Sequence, residues 1–262
     1  MVGSRLSELL TARFGEAPGV PDGLESHPFL TCLAARGSCR AFTTDTVTDA
    51  TLETLAAAAL CAPSKSDLQQ RDILIVSAPE QRGALRDLLS AQAWIADAPH
   101  FVIFLANNRR QRQVQKMHEK PFPNDHLDAF FNASVDAGIA LALFMAAAEA
   151  AGLGCCPIST IRNHLAPVRD LFSLPDHVFP VAGMAIGYPA DTARMSPRLP
   201  LSATVHNDRF SDCSDEVIQD YDARRSAATG GPAWSRTRAE MYAEQQRGDF
   251  GGFIRGIGFK TD

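Results

Sequence analysis

Three stretches of the chain carry almost only apolar side chains: Ile73-Leu74-Ile75-Val76, Phe101-Val102-Ile103-Phe104-Leu105, and the run from 181 to 187 closed by Pro189. A strand that is apolar on both faces has to be covered on both faces, so helices must pack above and below the sheet it joins. Segments of helical period separate the three runs. The expected fold class is therefore α+β, with an antiparallel-containing central sheet near 73–76, 101–105 and 181–187, wrapped by helices.

Length and composition narrow the function. A chain of 262 residues buries a core as one large domain or two small ones. With 45% hydrophobic and 21% charged residues it reads as an ordinary globular protein. A formal charge of −5 argues against a nucleic-acid partner. Six cysteines, at 32, 39, 61, 155, 156 and 213, form no C-x-x-C pair, so no metal site is indicated and reduced thiols are expected. No basic segment followed by a long apolar run opens the sequence. The longest apolar run, 139–148, is too short to span a bilayer. The expected location is cytoplasmic, with no membrane partner.

Around the strands the helical period recurs. Ser4 would cap an amphipathic helix carrying Leu6, Leu9, Leu10 and Phe14 on one face. Residues 27–36 form a second helix. A third opens at Thr48 and stops at Pro63. The segment 79–94 reads as one helix, 109–124 as a polar exposed connection, and 161–171, 215–225 and 235–247 as further helices. The longest helical candidate, 125–151, is apolar all round and alanine-rich from 137 to 148. Such a helix is buried on every side, in a core or against a second subunit. Small side chains and the prevalence of two-fold symmetry favour the subunit contact. Gly152-Leu153-Gly154 ends it, and 155–160 follows as a short strand or loop.

Two polar stretches carry the chemistry. Arg36-Gly37-Ser38-Cys39-Arg40-Ala41-Phe42 sets two guanidinium groups four residues apart around a glycine and a hydroxyl. That is a clamp for a dianionic phosphate monoester, or a pair of surface arginines. Ala62-Pro63-Ser64-Lys65-Ser66-Asp67-Leu68-Gln69 is a polar turn between a helix and a core strand, either solvated or the edge of a binding site.

These segments, with the Gly152-Leu153-Gly154 helix end and Ile186-Gly187-Tyr188-Pro189, resemble the nitroreductase superfamily of flavoenzymes. The first matches that family's R-R-S-x-R-x-F and the second its A-P-S-x-x-N-x-Q. Residues 158–163 with Pro197-Arg198-Leu199-Pro200 look most like its NADPH nitroreductase and flavin reductase P group. The resemblance implies a nitroreductase-like fold with a mixed, largely antiparallel sheet, formed as an intertwined homodimer that binds FMN at the subunit interface. It implies that 27–210 is the FMN-binding domain, 1–26 an N-terminal extension, and 211–262 a C-terminal extension packed on the domain or the partner subunit. It also implies that Arg36, Ser38, Arg40 and Arg198 hold the phosphate and ribityl end, with Gly37 between them. Ser64, Lys65, Ser66, Asp67 and Gln69 would border the ring or ribityl chain. Gln92 would reach the cofactor, and Pro157, Ile158, Ser159 and Thr160 would pass the ring through their backbone.

The sequence departs from that pattern at several positions. Gly37 stands where many members carry a second basic residue, Ser196 where the nearest group has lysine, Asp67 for asparagine, and Ser159-Thr160 for a glycine pair. The implied activity is transfer of hydride from NADPH or NADH to FMN, and onward to a nitroaromatic, quinone or flavin, by ping-pong alternation. No protein acid or base is assigned as catalytic. The alternatives are a reductive dehalogenase or flavin-fragmenting member, a flavin-binding protein without turnover, and an enzyme using Cys39 as nucleophile beside its arginines.

Overall fold

A computed structural model of the protein describes residues 5–262, apart from the side chains of Ala93 and Ala96. In chain order the elements are α1 (Leu6–Phe14), α2 (Pro28–Ala35), α3 (Asp49–Leu60), β1 (Arg71–Val76), α4 (Pro79–Leu88), α5 (Ala93–Ala96) and β2 (His100–Asn107). After β2 come α6 (Arg109–Met117), α7 (Leu127–Ala150), β3 (Gly154–Ile158), α8 (Leu165–Leu171) and β4 (Val178–Gly187). The chain closes with α9 (Asp215–Thr229), α10 (Trp234–Tyr242) and α11 (Phe250–Gly256). Two compact units result. One runs up to Gly37 and resumes over Ala193–Gln246, and the other comprises Ser38–Thr192 with Arg247–Asp262.

The second unit holds a four-stranded sheet of order β1-β2-β4-β3. All three pairings are antiparallel, so the expected mixed sheet is corrected to an antiparallel one. Strand β3, which the sequence left as strand or loop, pairs along β4 and forms the edge opposite β1.

The covering of both faces follows from the alternation along β2. Val102 and Phe104 enter a core with Leu52 and Leu55 of α3 and Ala140, Phe144 and Ala148 of α7. Phe101, Ile103 and Leu105 enter the opposite core with Leu85 of α4, Leu89 and Val168 of α8. Phe104 meets Phe144 edge-on, their centroids 5.5 Å apart.

Helix α7 is not buried on every side within one chain. Ala129, Ala133, Asp136, Ala137, Ala140, Phe144 and Ala148 face inward. Leu127, Phe131, Val135 and Leu143 stay exposed, Phe131 at 59%. By length and composition α7 could also cross a membrane, but its inner face packs on β2 and α3.

Three helical expectations change. Residues 79–94 break into α4 and α5, which lets Leu89 bury completely and takes Gln92 out of the helix. The connection 109–124 starts as α6, because Asn107 Oδ1 accepts the Arg109 and Arg110 amides at 3.0 and 3.4 Å. Helix α11 was missed, since Gly251, Gly252 and Gly256 dilute the spacing of Phe250, Phe253, Ile254 and Ile257. It packs against Phe130 and Phe179. The cap assigned to Ser4 lies outside the described residues.

Two glycines separate packing from propensity. A Cβ on Gly183 would stand 2.6 Å from the Phe101 ring, whereas one on Gly83, within α4, meets nothing within 4 Å. Gly183→Ala should lose about 1 to 3 kcal/mol of unfolding free energy by denaturant titration. Gly83→Ala should gain about 0.5 to 1 kcal/mol.

Candidate functional site

At the end of β3 the second unit gathers several of the expected residues. The motif stretch lies along this edge: the Cys39 amide donates to Cys155 O at 3.0 Å, and Phe42 bridges to Pro189. Cys39 points inward, so close to the backbone that a Cβ on Gly154 would stand 2.6 Å from its sulfur. Of its neighbours, Ser38 is half-buried and Arg40 exposed. The Arg40 guanidinium lies over the Trp94 ring, 5.7 Å from its centroid. Two residues earlier, Gln92 Nε2 donates to Thr160 Oγ1 at 2.7 Å. Ser38, Arg40, Gln92 and 157–160 thus belong to one edge of one unit.

Cys39 is no nucleophile. It is 3% exposed and its thiol donates to Ala41 O, and burial raises its pKa above the usual thiol value. The thiolate reading fails on desolvation, which outweighs the adjacent Arg40.

The polar loop 64–69 sits elsewhere. It feeds β1, at the edge opposite β3 and three strand spacings away, about 14 Å. Ser66, Asp67 and Gln69 hold φ of 51°, 55° and 50°, the left-handed region that non-glycine residues rarely keep. What holds them is Asp136 of α7, a carboxylate only 1% exposed. Its Oδ1 accepts the Lys65 amide at 3.1 Å and its Oδ2 the Gln70 amide at 3.0 Å, so one side chain pins both ends of the loop. Within the loop, Ser64 Oγ accepts the Gln69 amide at 3.0 Å, and Asp67 Oδ1 accepts from Gln69 Nε2 at 3.1 Å. Lys65 pairs with Asp128 at 3.4 Å and not with Asp67.

The first unit contributes Arg36 and Arg198, which line one cavity of about 550 Å³. Arg13, Arg225, Arg238, Tyr221 and Trp234 also line it. Arg13 is buried and donates to Ala34 O at 2.9 Å, Ser196 O at 3.3 Å and Arg36 O at 2.5 Å. Two departures in the motifs find physical causes here. A Cβ on Gly37 would stand 2.6 Å from Arg194 O, which excludes a second basic side chain. Ser196, in the place of lysine, accepts from Arg198 Nη1 at 2.7 Å. A cavity lined by several guanidinium groups has the donor chemistry that a phosphate monoester needs.

Sequence inspection missed Asp136, Trp94, Arg13 and Arg247. Arg247 donates to Asn163 Oδ1 at 2.7 Å and to Ser159 Oγ at 3.2 Å. Only Asp136 left a signal, as a lone carboxylate on the inward face of α7.

Residues 33–188 match the nitroreductase family and residues 196–262 its C-terminal domain. The chain is 31% identical over 236 residues to an FMN reductase (NAD(P)H) of Bacillus subtilis, covering 86% of this chain and 95% of that protein. It is 33% identical over 198 residues to an oxygen-insensitive NADPH nitroreductase of Salmonella typhimurium, covering 74% and 80%. Among solved structures, NfrA2 of B. megaterium superposes with a TM-score of 0.84 at 32% identity, covering 90% of this chain and 99% of that one. An NADPH:FMN oxidoreductase of Vibrio harveyi, complexed with NAD+, gives a TM-score of 0.81 at 28% identity, covering 88% and 98%.

Replacing Asp136 tests the loop clamp. Asp136→Ala strands two amides and should destabilise the protein by about 3 kcal/mol. Cleavage or amide exchange confined to 64–70 should rise before global unfolding is reached.

Proposed function

The chain belongs to the nitroreductase family and is an FMN oxidoreductase using NAD(P)H, and we propose that it works by ping-pong alternation, reducing a nitroaromatic, a quinone or a free flavin. The observation that carries this reading is the edge of β3, where Arg40 over Trp94 and Gln92 on Thr160 line up beside a short backbone turn. FMN, when bound, supplies the hydride-accepting and hydride-donating ring. The protein binds and orients it.

In this reading Arg36, Ser38, Arg40 and Arg198 hold the phosphate and ribityl end, with the backbone of Gly37 allowing close approach. Gln92 and the backbone from Pro157 through Ile158, Ser159 and Thr160 border the ring. Residues 27–210 carry the flavin, and 1–26 and 211–262 flank them. The enzyme is cytoplasmic.

The position of the loop bears on assembly. Ser64, Lys65, Ser66, Asp67 and Gln69 attach to the opposite edge of the sheet from Thr160. We infer that they complete the slot of a second copy, in a homodimer. The exposed apolar stripe Leu127, Phe131, Val135 and Leu143 on α7 supports such an interface, because it leaves a helix of core composition half uncovered.

Anaerobic absorption spectroscopy tests the function. The purified protein should show the flavin bands and lose them on addition of NADPH or NADH, then regain them with a quinone or nitroaromatic. Arg40→Ala should weaken FMN retention at least about tenfold, since a charge-assisted contact contributes roughly 1.5 to 3 kcal/mol. Bands that NAD(P)H leaves untouched would reduce the protein to a flavin binder.

The dimer has its own test. Gly138→Leu and Ala142→Leu enlarge α7 on positions away from its buried face. Either should split the dimer or lower its stability by roughly 1 to 3 kcal/mol. A wild-type protein that sediments as a monomer with FMN bound would exclude the shared slot.

A further inference from the structure

The turn after β3 carries two hydroxyls where the family pattern has glycines, and both are engaged. Thr160 Oγ1 accepts from Gln92 Nε2 at 2.7 Å. Ser159 Oγ and its carbonyl oxygen accept from Arg247 Nη2 at 3.2 and 3.3 Å. The same guanidinium donates through Nε to Asn163 Oδ1 at 2.7 Å, so Arg247 spans the short 3-10 turn Thr160–His164 from before its start to near its end. The Arg162 amide closes onto Ser159 O at 3.0 Å beneath it.

Backbone conformation points the same way. Ser159 sits at φ −94° and ψ −9°, accessible to any L residue, so the hydroxyl is added without strain. A glycine pair would have the widest choice of backbone angles and no side-chain acceptor for either donor. Arg247, by contrast, is held at φ 52°, a conformation that a non-glycine residue keeps only where its contacts fix it. Gln92 stands just before α5 and Arg247 just before α11, so the donors reach the turn from two separate elements.

We propose that Gln92 and Arg247 are positioning residues that lock the Ser159–Thr160 turn into one conformation before any ligand arrives. The functional consequence rests on the flavin reading above: the backbone bordering the ring is preorganised by side chains and does not settle on binding. The lock itself is a property of the protein alone. It belongs to this chain's departure from a glycine pair.

Amide hydrogen exchange across 159–163, on the full-length protein with and without added FMN, separates the two. In the FMN-free protein Gln92→Leu should speed exchange by about twofold to tenfold, the loss expected for a neutral hydrogen bond, and Arg247→Ala by about tenfold or more, the loss expected for a charged one. Thr160→Val should match Gln92→Leu, and the double variant should exchange no faster than either single, because both remove the same contact. Arg247→Lys should recover part of the protection. With FMN bound, the same variants should reduce their flavin more slowly, in kcat more than in KM. Unchanged exchange, or a double variant whose effect is the sum of the singles, overturns the lock. Faster exchange with unaltered flavin reduction, or a protein that keeps the lock yet takes up no FMN, overturns its role at the flavin.

Discussion

Everything in the larger unit is hung on β2, a strand buried on both faces. Its residues from Phe101 to Ala106 are all at most 6% exposed, and the two side-chain sets face two separate cores. A strand that demands cover above and below fixes α3 and α7 on one side and α4 and α8 on the other. Strands β1 and β3 fall at the edges, and the polar elements fall at their ends. The loop 64–69 leads into β1, and the turn 159–160 leaves β3. Their separation follows from strand order.

Two devices then stiffen those polar elements. At the β1 edge, the buried Asp136 carboxylate pins a loop with three left-handed residues. At the β3 edge, Gln92 and Arg247 grip a turn of ordinary backbone through its hydroxyls. The first offsets strain that the sequence imposes, and the second restricts freedom that the sequence leaves. Both place a hydrogen-bonding partner far along the chain from the segment it holds.

That distance explains how much was legible beforehand. The three apolar runs read as strands because their periodicity is local, and they stand at Arg71–Val76, His100–Asn107 and Val178–Gly187. The motifs around Arg36, Ser64 and Arg198 were legible as polar islands and through their resemblance to a family. Long-range partners were not, since Asp136 lies 71 residues from Lys65 and Arg247 lies 88 from Ser159. Local period also failed where glycine diluted it, as in α11, or where one side chain started a helix, as Asn107 does for α6. The buried Cys39 shows the reverse error, because arginine neighbours in sequence suggested a thiolate that burial forbids.

The central claim is that one slot is built from opposite sheet edges of two copies. Co-expression of a chain carrying Arg40→Ala with a chain carrying Asp67→Ala and Gln69→Ala tests it directly. Each variant alone should have little flavin-reductase activity. In mixed dimers one slot collects both defects and the other collects none, so random pairing should restore about a quarter of the wild-type activity. Mixed dimers no more active than the separate variants would place the arginine and the loop in the same chain's slot and contradict the account.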